Sequence, residues 1–213
     1  ALTVEEVASP VHHIISEVFR KGIQWAPAFA VKCKECDTEY QKKIKQCKVC
    51  DAENFKEPDE EQKKVLSTYL DDANIWDKSL EDLLRGFSWN LNVIDDAFLY
   101  LSKEYTEGNG DEVRSKVIEI RNINPALIEF DLDQNGLPKN SHFMCLIHRD
   151  TILSTEAGKC PECGRNLVPA MYIYRHRGSM MYLFDSEIIH VSKFWPGNET
   201  YGWSPILTVF EKV

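Results

Sequence analysis

Apolar residues recur at helical spacing through the first part of the chain and at strand spacing through the rest. Val11, Ile14, Ile15, Val18 and Phe19 fall three or four positions apart, which sets them on one side of a helix. Ser9-Pro10 reads as its start, since serine caps and proline suits the first helical position. Gly22 and Pro27 bound its end. In "NFKEPDEEQKKVLSTYLDDAN" the acids after Pro58 suit the positive end of a helix dipole and predict a helix over 59–70. A third helix begins at Ser79, with Leu80, Leu83, Leu84, Phe87 and Leu91 as its apolar stripe. "DDAFLYLSKEY" either carries that stripe on through Ile94 and Phe98 or, being rich in aromatics, forms a strand with Asp95-Asp96 as the turn.

From there the pattern is that of strands. "KVIEIRNINP" and "ALIEFDLDQNGLP" each read as one, and Asn135-Gly136 predicts a hairpin. Glu119, Glu129 and Asp131 lie on these strands, where alternation points them outward. "SHFMCLIH" and "LVPAMYIYRHR" enter and leave a cysteine-rich tip, and Gly178 turns the chain into "MMYLFDSEIIHVS". "SPILTVFEKV" opens another capped helix at Ser204-Pro205 and stops after barely two turns. With no initiator Met at the other end, the chain reads as a fragment that continues beyond Val213. The expected class is α+β, N-terminal helices followed by antiparallel β hairpins.

The cysteines change the picture. "VKCKECDTEYQKKIKQCKVC" holds two Cys-x-x-Cys pairs, Cys33/Cys36 and Cys47/Cys50. "CLIHRDTILSTEAGKCPEC" holds Cys145, His148, Cys160 and Cys163. All 7 cysteines are thereby used in two groups of four, with His148 as the eighth ligand. Facing Cys-x-x-Cys turns present four ligands at tetrahedral corners, and thiolate with imidazole favours zinc over oxygen-seeking ions. Four protein ligands close the shell, so both ions are expected to be structural rather than catalytic. Gly164 after Cys163 suits the left-handed backbone of such a turn, whereas Asp37 and Asp51 suit it less. The two zinc ribbons span 31–52 and 143–166 and read as insertions in a body that runs through 1–213. If they are insertions, the body is expected to survive unfolding of the second ribbon, as by Cys160→Ser, with only a modest loss of stability.

Composition narrows the function. The 213 residues are 43% hydrophobic and carry a formal net charge of -9, a poor balance for wrapping nucleic acid. Six lysines around the first ribbon face Glu35, Asp37 and Glu39; they read as counterions of the metal–thiolate cluster. No apolar run suggests a membrane span, and "ALTVEEVASP" lacks the basic and apolar regions of a signal peptide. Free thiols in metal sets imply a reducing compartment. No Ser/His/Asp set, phosphate loop or paired carboxylates with a matching base stands out, so no enzymatic role is expected. His12 and His13 read as surface or packing residues, and His190 as a hydrogen-bonding residue at a strand end.

Several phrases resemble the portal proteins of tailed phages and tailed archaeal viruses. "SEIIHVSKFWPGNETYGWSPI" is similar to the portal pattern in which a strand ends in Ile-His, here Ile189-His190. A loop with Pro196-Gly197 follows, and Tyr201-Gly202-Trp203-Ser204-Pro205 opens a helix. "SLEDLLRGFSWNLNVIDDAFLYL" resembles the portal helix followed by a Gly-Asn-Ala-Tyr-like strand. Asp95-Asp96-Ala97-Phe98 stands in that place, without the usual glycine. "VIEIRNINPALIEFDLDQNG" and "SPVHHIISEVFRKGIQW" match the next stretch and the opening helix. The resemblance runs from about residue 9 to the end, outside the ribbons. It implies a wing-like α+β body from a ring-forming, non-enzymatic subunit of the virion or host cytoplasm. DNA would pass through the ring without specific binding, and the packaging terminase and capsid proteins would be partners. The competing expectation is a zinc-ribbon adaptor that binds nucleic acid or a protein partner.

Overall fold

A computed structural model describes residues 4–192, apart from 24–25, 77, 110–111, 138, 140 and 150–152. The expected helix at Ser204-Pro205 and the motif residues of 196–205 lie outside the described residues. Helix α1 covers Val4–Val18 and contains Pro10 instead of beginning there. The helix reaches six residues further toward the N-terminus than Pro10 suggests. Among the described side chains of α1, Val11 and Ile15 are the buried ones, while Ile14 and Val18 are exposed, so this part of α1 rests on its neighbour along one narrow line.

Strands β1 (Val31–Cys33), β2 (Glu39–Tyr40) and β3 (Phe55–Lys56) form a small sheet in the order β2-β1-β3. Helix α2 (Glu60–Asp71) follows, its first turn capped by Asp59, whose carboxylate accepts from the Glu61 N–H at 2.9 Å. Helix α3 (Leu80–Val93) starts with a capping box in which Ser79 and Asp82 satisfy each other's backbone N–H. Leu83 of the predicted stripe is buried, and the others are half-buried. Trp89 meets His12 of α1 at 4.6 Å, and Arg85 lies over Phe19 at 5.1 Å.

The helix ends before Asp95, which takes a left-handed backbone at φ 69 and turns the chain into β4 (Ala97–Glu107). "DDAFLYLSKEY" is therefore a strand. It pairs antiparallel with β5 (Val113–Ile123) from Phe98↔Ile123 to Glu107↔Val113, with a bulge at Ser102/Lys103. Glu119 on β5 is not outward-facing. Residues 73–76 lie along β5 and cover it, with Ile120 N–H donating to Ala73 O at 2.9 Å. Glu119 is 5% exposed, paired with Arg121 at 2.5 Å beneath the Trp76 ring.

A short 3-10 turn at Pro125–Leu127 leads into β6 (Ile128–Phe130). Asn135-Gly136 makes the expected tight turn, with Gly136 at φ 77, and the short arms beside it are bonded across it, Asp133 N–H to Leu137 O and Lys139 N–H to Asp131 O, both at 2.7 Å. Strand β6, just before that turn, pairs with the much later β9 (Val168–His176). Between them lie β7 (Phe143–Met144) and β8 (Leu153–Ser154), paired with each other. Strand β7 also pairs β9, so the second cysteine group sits at a hairpin tip, as expected. Asp131 lies past the end of β6 and is half-buried; Glu129 is exposed. Arg177 (φ 49) and Gly178 (φ 82) make the two-residue turn to β10 (Ser179–Phe184). After a 3-10 corner at Asp185–Glu187, β11 (Ile188–Val191) crosses to the other sheet and pairs β4.

Two sheets thus face each other, β11-β4-β5 and β10-β9-β7-β8 with β6 beside β9. Phe98, Ile123 and Ile188 from the first pack on Ile128, Tyr172 and Leu183 from the second. The fold is α+β, three helices with antiparallel sheets. No helix among the described residues is long and apolar enough to cross a membrane.

Candidate metal centres

Three of the four ligand turns share one backbone device. The N–H four residues past the first cysteine bonds back to that cysteine's carbonyl: Asp37 to Cys33 at 3.1 Å, Asp51 to Cys47 at 3.0 Å, Gly164 to Cys160 at 2.7 Å. Each donor residue sits in the left-handed region, at φ 56, 59 and 72. Asp37 and Asp51 thus occupy the position that Gly164 fills more easily, as aspartate is among the few side chains tolerated there.

The turns bring their side chains together. Cys33, Cys36, Cys47 and Cys50 form one cluster and Cys145, His148, Cys160 and Cys163 the other, with ligand atoms within 4.8 Å of one another. Cys33 Sγ lies 3.5 Å from Cys50 Sγ, and Cys36 Sγ 3.5 Å from Cys47 Sγ. In the second cluster Cys145 Sγ is 3.6 Å from Cys163 Sγ, and His148 Nδ1 is 3.5 Å from Cys160 Sγ. A tetrahedral ion with arms of about 2.3 Å sets its ligands roughly 3.8 Å apart. A disulfide would need sulfurs about 2.05 Å apart, and all seven cysteines are free. The eight side chains therefore fit two four-ligand metal sites compatible with zinc ribbons.

Surrounding groups prepare the donors. His148 Nε2 lies 3.4 Å from Glu162 Oε2, which leaves Nδ1 turned to the sulfurs. Tyr40 accepts from the Lys48 N–H at 2.9 Å and lies 3.2 Å from Cys47 Sγ. That hydroxyl lowers the Cys47 thiol to about 6. The Arg165 N–H lowers Cys163 to about 6. Cys50 moves the other way: the Ala52 N–H draws it down, but the neighbouring Cys36, Cys47 and Cys33 sulfurs push it up to about 12. Four sulfurs this close cannot all ionise by themselves, and a divalent cation is the group that lets them.

Away from the clusters, the fold joins a serine, a histidine and an aspartate that the sequence did not suggest as a set. Ser141 and His142 Nδ1 both meet Asp131 Oδ2, His142 at 3.0 Å, and Ser141 Oγ also lies 3.1 Å from Nδ1. Hydroxyl and carboxylate thus crowd one ring nitrogen, whereas a nucleophile triad places them on opposite ones. Nε2 instead faces the Tyr182 hydroxyl at 3.5 Å. The arrangement clasps the chain after β6 to the chain before β7. His190 at the strand end is 2.7 Å from Asp96 and stacks on Phe98 at 4.4 Å, a structural role. Both His12 and His13 are exposed. No family model matches the chain, and no curated protein matches it at a significant level.

Proposed function

We propose that the chain is the body of a viral portal subunit, stapled by two structural zinc ions. The observation that carries the reading is Asp95. The resembling family has a glycine where the helix turns into the aromatic strand, and Asp95 fills that place with a left-handed backbone at φ 69. A glycine there meets a backbone demand, and aspartate meets the same demand at some cost in strain. The order α3, β4, β5, proline turn, β6 and finally a strand through Ile189-His190 follows the order of the family-like phrases. One ligand cluster lies between α1 and α2 and the other between β6 and β9, which suits ribbons decorating a body. Thiolate and imidazole donors in closed sets of four favour zinc in a structural role.

The test is assembly. The protein is expressed together with whatever sequence flanks residues 1–213 in its gene, and imaged by negative-stain electron microscopy with elemental analysis in parallel. The reading expects rings with a central channel and close to two zinc ions per subunit. A monomer that forms a sub-micromolar complex with nucleic acid or another protein would replace it with the adaptor reading. Iron in place of zinc would overturn the staple.

A further inference from the structure

The second cluster reaches into the core through one arginine. Arg149 follows the ligand His148 directly, and its guanidinium grips Glu187 with two bonds, Nη1–Oε1 at 2.7 Å and Nη2–Oε2 at 2.8 Å. Glu187 is fully buried at 0% exposure in the corner between β10 and β11. There Phe184 N–H donates to Oε2 at 3.1 Å and Tyr105 of β4 donates its hydroxyl to Oε1 at 3.2 Å. Among the described residues, Arg149 is the only cation paired with that carboxylate. A second arginine two residues past Cys163, Arg165, bonds Glu107 at the far end of β4 at 2.9 Å. The first ribbon differs. Among the described residues its hydrogen bonds and ion pairs stay within 28–57, as in Gln41 to Ala28 O and Lys43 to Glu57.

We propose that the second metal cluster is a lock on the whole β body, with Arg149 as its bolt. The metal fixes the turn of 145–149, and the turn delivers the positive charge that allows Glu187 to stay buried. A carboxylate stripped of its counter-charge inside a protein is strongly disfavoured. Losing the metal therefore opens the β10–β11 corner and, through Tyr105 and Glu107, the far half of β4. The first metal orders only its own ribbon. This reverses, for the second ribbon, the expectation that an insertion leaves the body standing. The inference rests on the second cluster holding a metal and is independent of the portal reading.

Hydrogen exchange on the zinc-loaded protein tests it, with metal counted by elemental analysis. Arg149→Met should keep two zinc ions yet lose protection over 184–191 by on the order of a hundredfold. The double variant Arg149→Met/Glu187→Met should regain it, because the buried charge leaves with its partner. A chelator should strip protection from 184–191 in the wild type but far less in Glu187→Met, while 31–57 lose protection in both. Undiminished protection in Arg149→Met would overturn the proposal. So would a wild-type corner that stays protected after both ions are gone. If Arg149→Met does not fold, the chelator titration decides: an equal loss in wild type and Glu187→Met refutes the lock.

Discussion

Glu119 shows how a single carboxylate escapes sequence reading. Alternation along β5 gives its side chain a face, but not what covers that face. The cover is the stretch through Ala73 and Trp76, more than forty residues earlier. The guanidinium of Arg121 at 2.5 Å holds the Glu119 carboxyl below its usual 4.5. The folded protein thus binds fewer protons at this position than the unfolded chain. Its contribution to stability is complete above about pH 4.5 and is lost as pH falls through the lower folded value. Glu119→Gln should cost about 1.5–3 kcal/mol at neutral pH, the range for hydrogen bonds to charged groups. The gap to wild type should shrink in urea denaturation as pH falls from 5 to 3. A gap that stays constant over that range would show that the pair is not acid-sensitive.

Among elements, helix starts were legible because their signals are local. Asp59 and Ser79 cap the helices that their positions predict. In the Ser79–Asp82 box each partner needs the other, so Ser79→Ala and Asp82→Ala should each cost about 1 kcal/mol. The double variant should cost clearly less than the two added together, and thermal melts of the three proteins check this. A fully additive result would mean that the two bonds act separately. Pro10 misled because proline is tolerated in early helical turns as well as at the first position. The Asn135-Gly136 turn was legible; the pairing of β6 was not. A tight turn names its own geometry, whereas Ile128↔Tyr174 depends on residues that sequence proximity never links. The convergence of the two sets of four side chains was legible, since Cys-x-x-Cys spacing encodes the turn itself. The tether from Arg149 to Glu187 was not: an arginine beside a ligand looks like any surface cation until the fold buries its partner.

For the whole molecule, two facing sheets make a core that no single stretch announces. Phe98 and Leu183 are buried by each other's sheets. The formal charge of -9 acts at the same scale. It opposes condensation onto phosphate chains, whose binding comes from lysines and arginines replacing counterions. Duplex DNA should bind this chain only weakly, without sequence preference, and less still as salt rises. Fluorescence anisotropy with unrelated duplexes measures this. A tight complex selective for one sequence would contradict the charge argument and point to the lysines of the first ribbon.

The two clusters also differ in how far water reaches their sulfurs. Each cluster buries two cysteines and leaves one half-buried, Cys36 in the first and Cys163 in the second, but only the first has an exposed one, Cys50. Oxidants attack accessible sulfur first. Peroxide stress would therefore dismantle the first ribbon before it touched the second, and that loss would stay within one free-standing module. The chain places its most open thiol, Cys50, where damage is local, and leaves none so open in the cluster on which Arg149 and Glu187 depend.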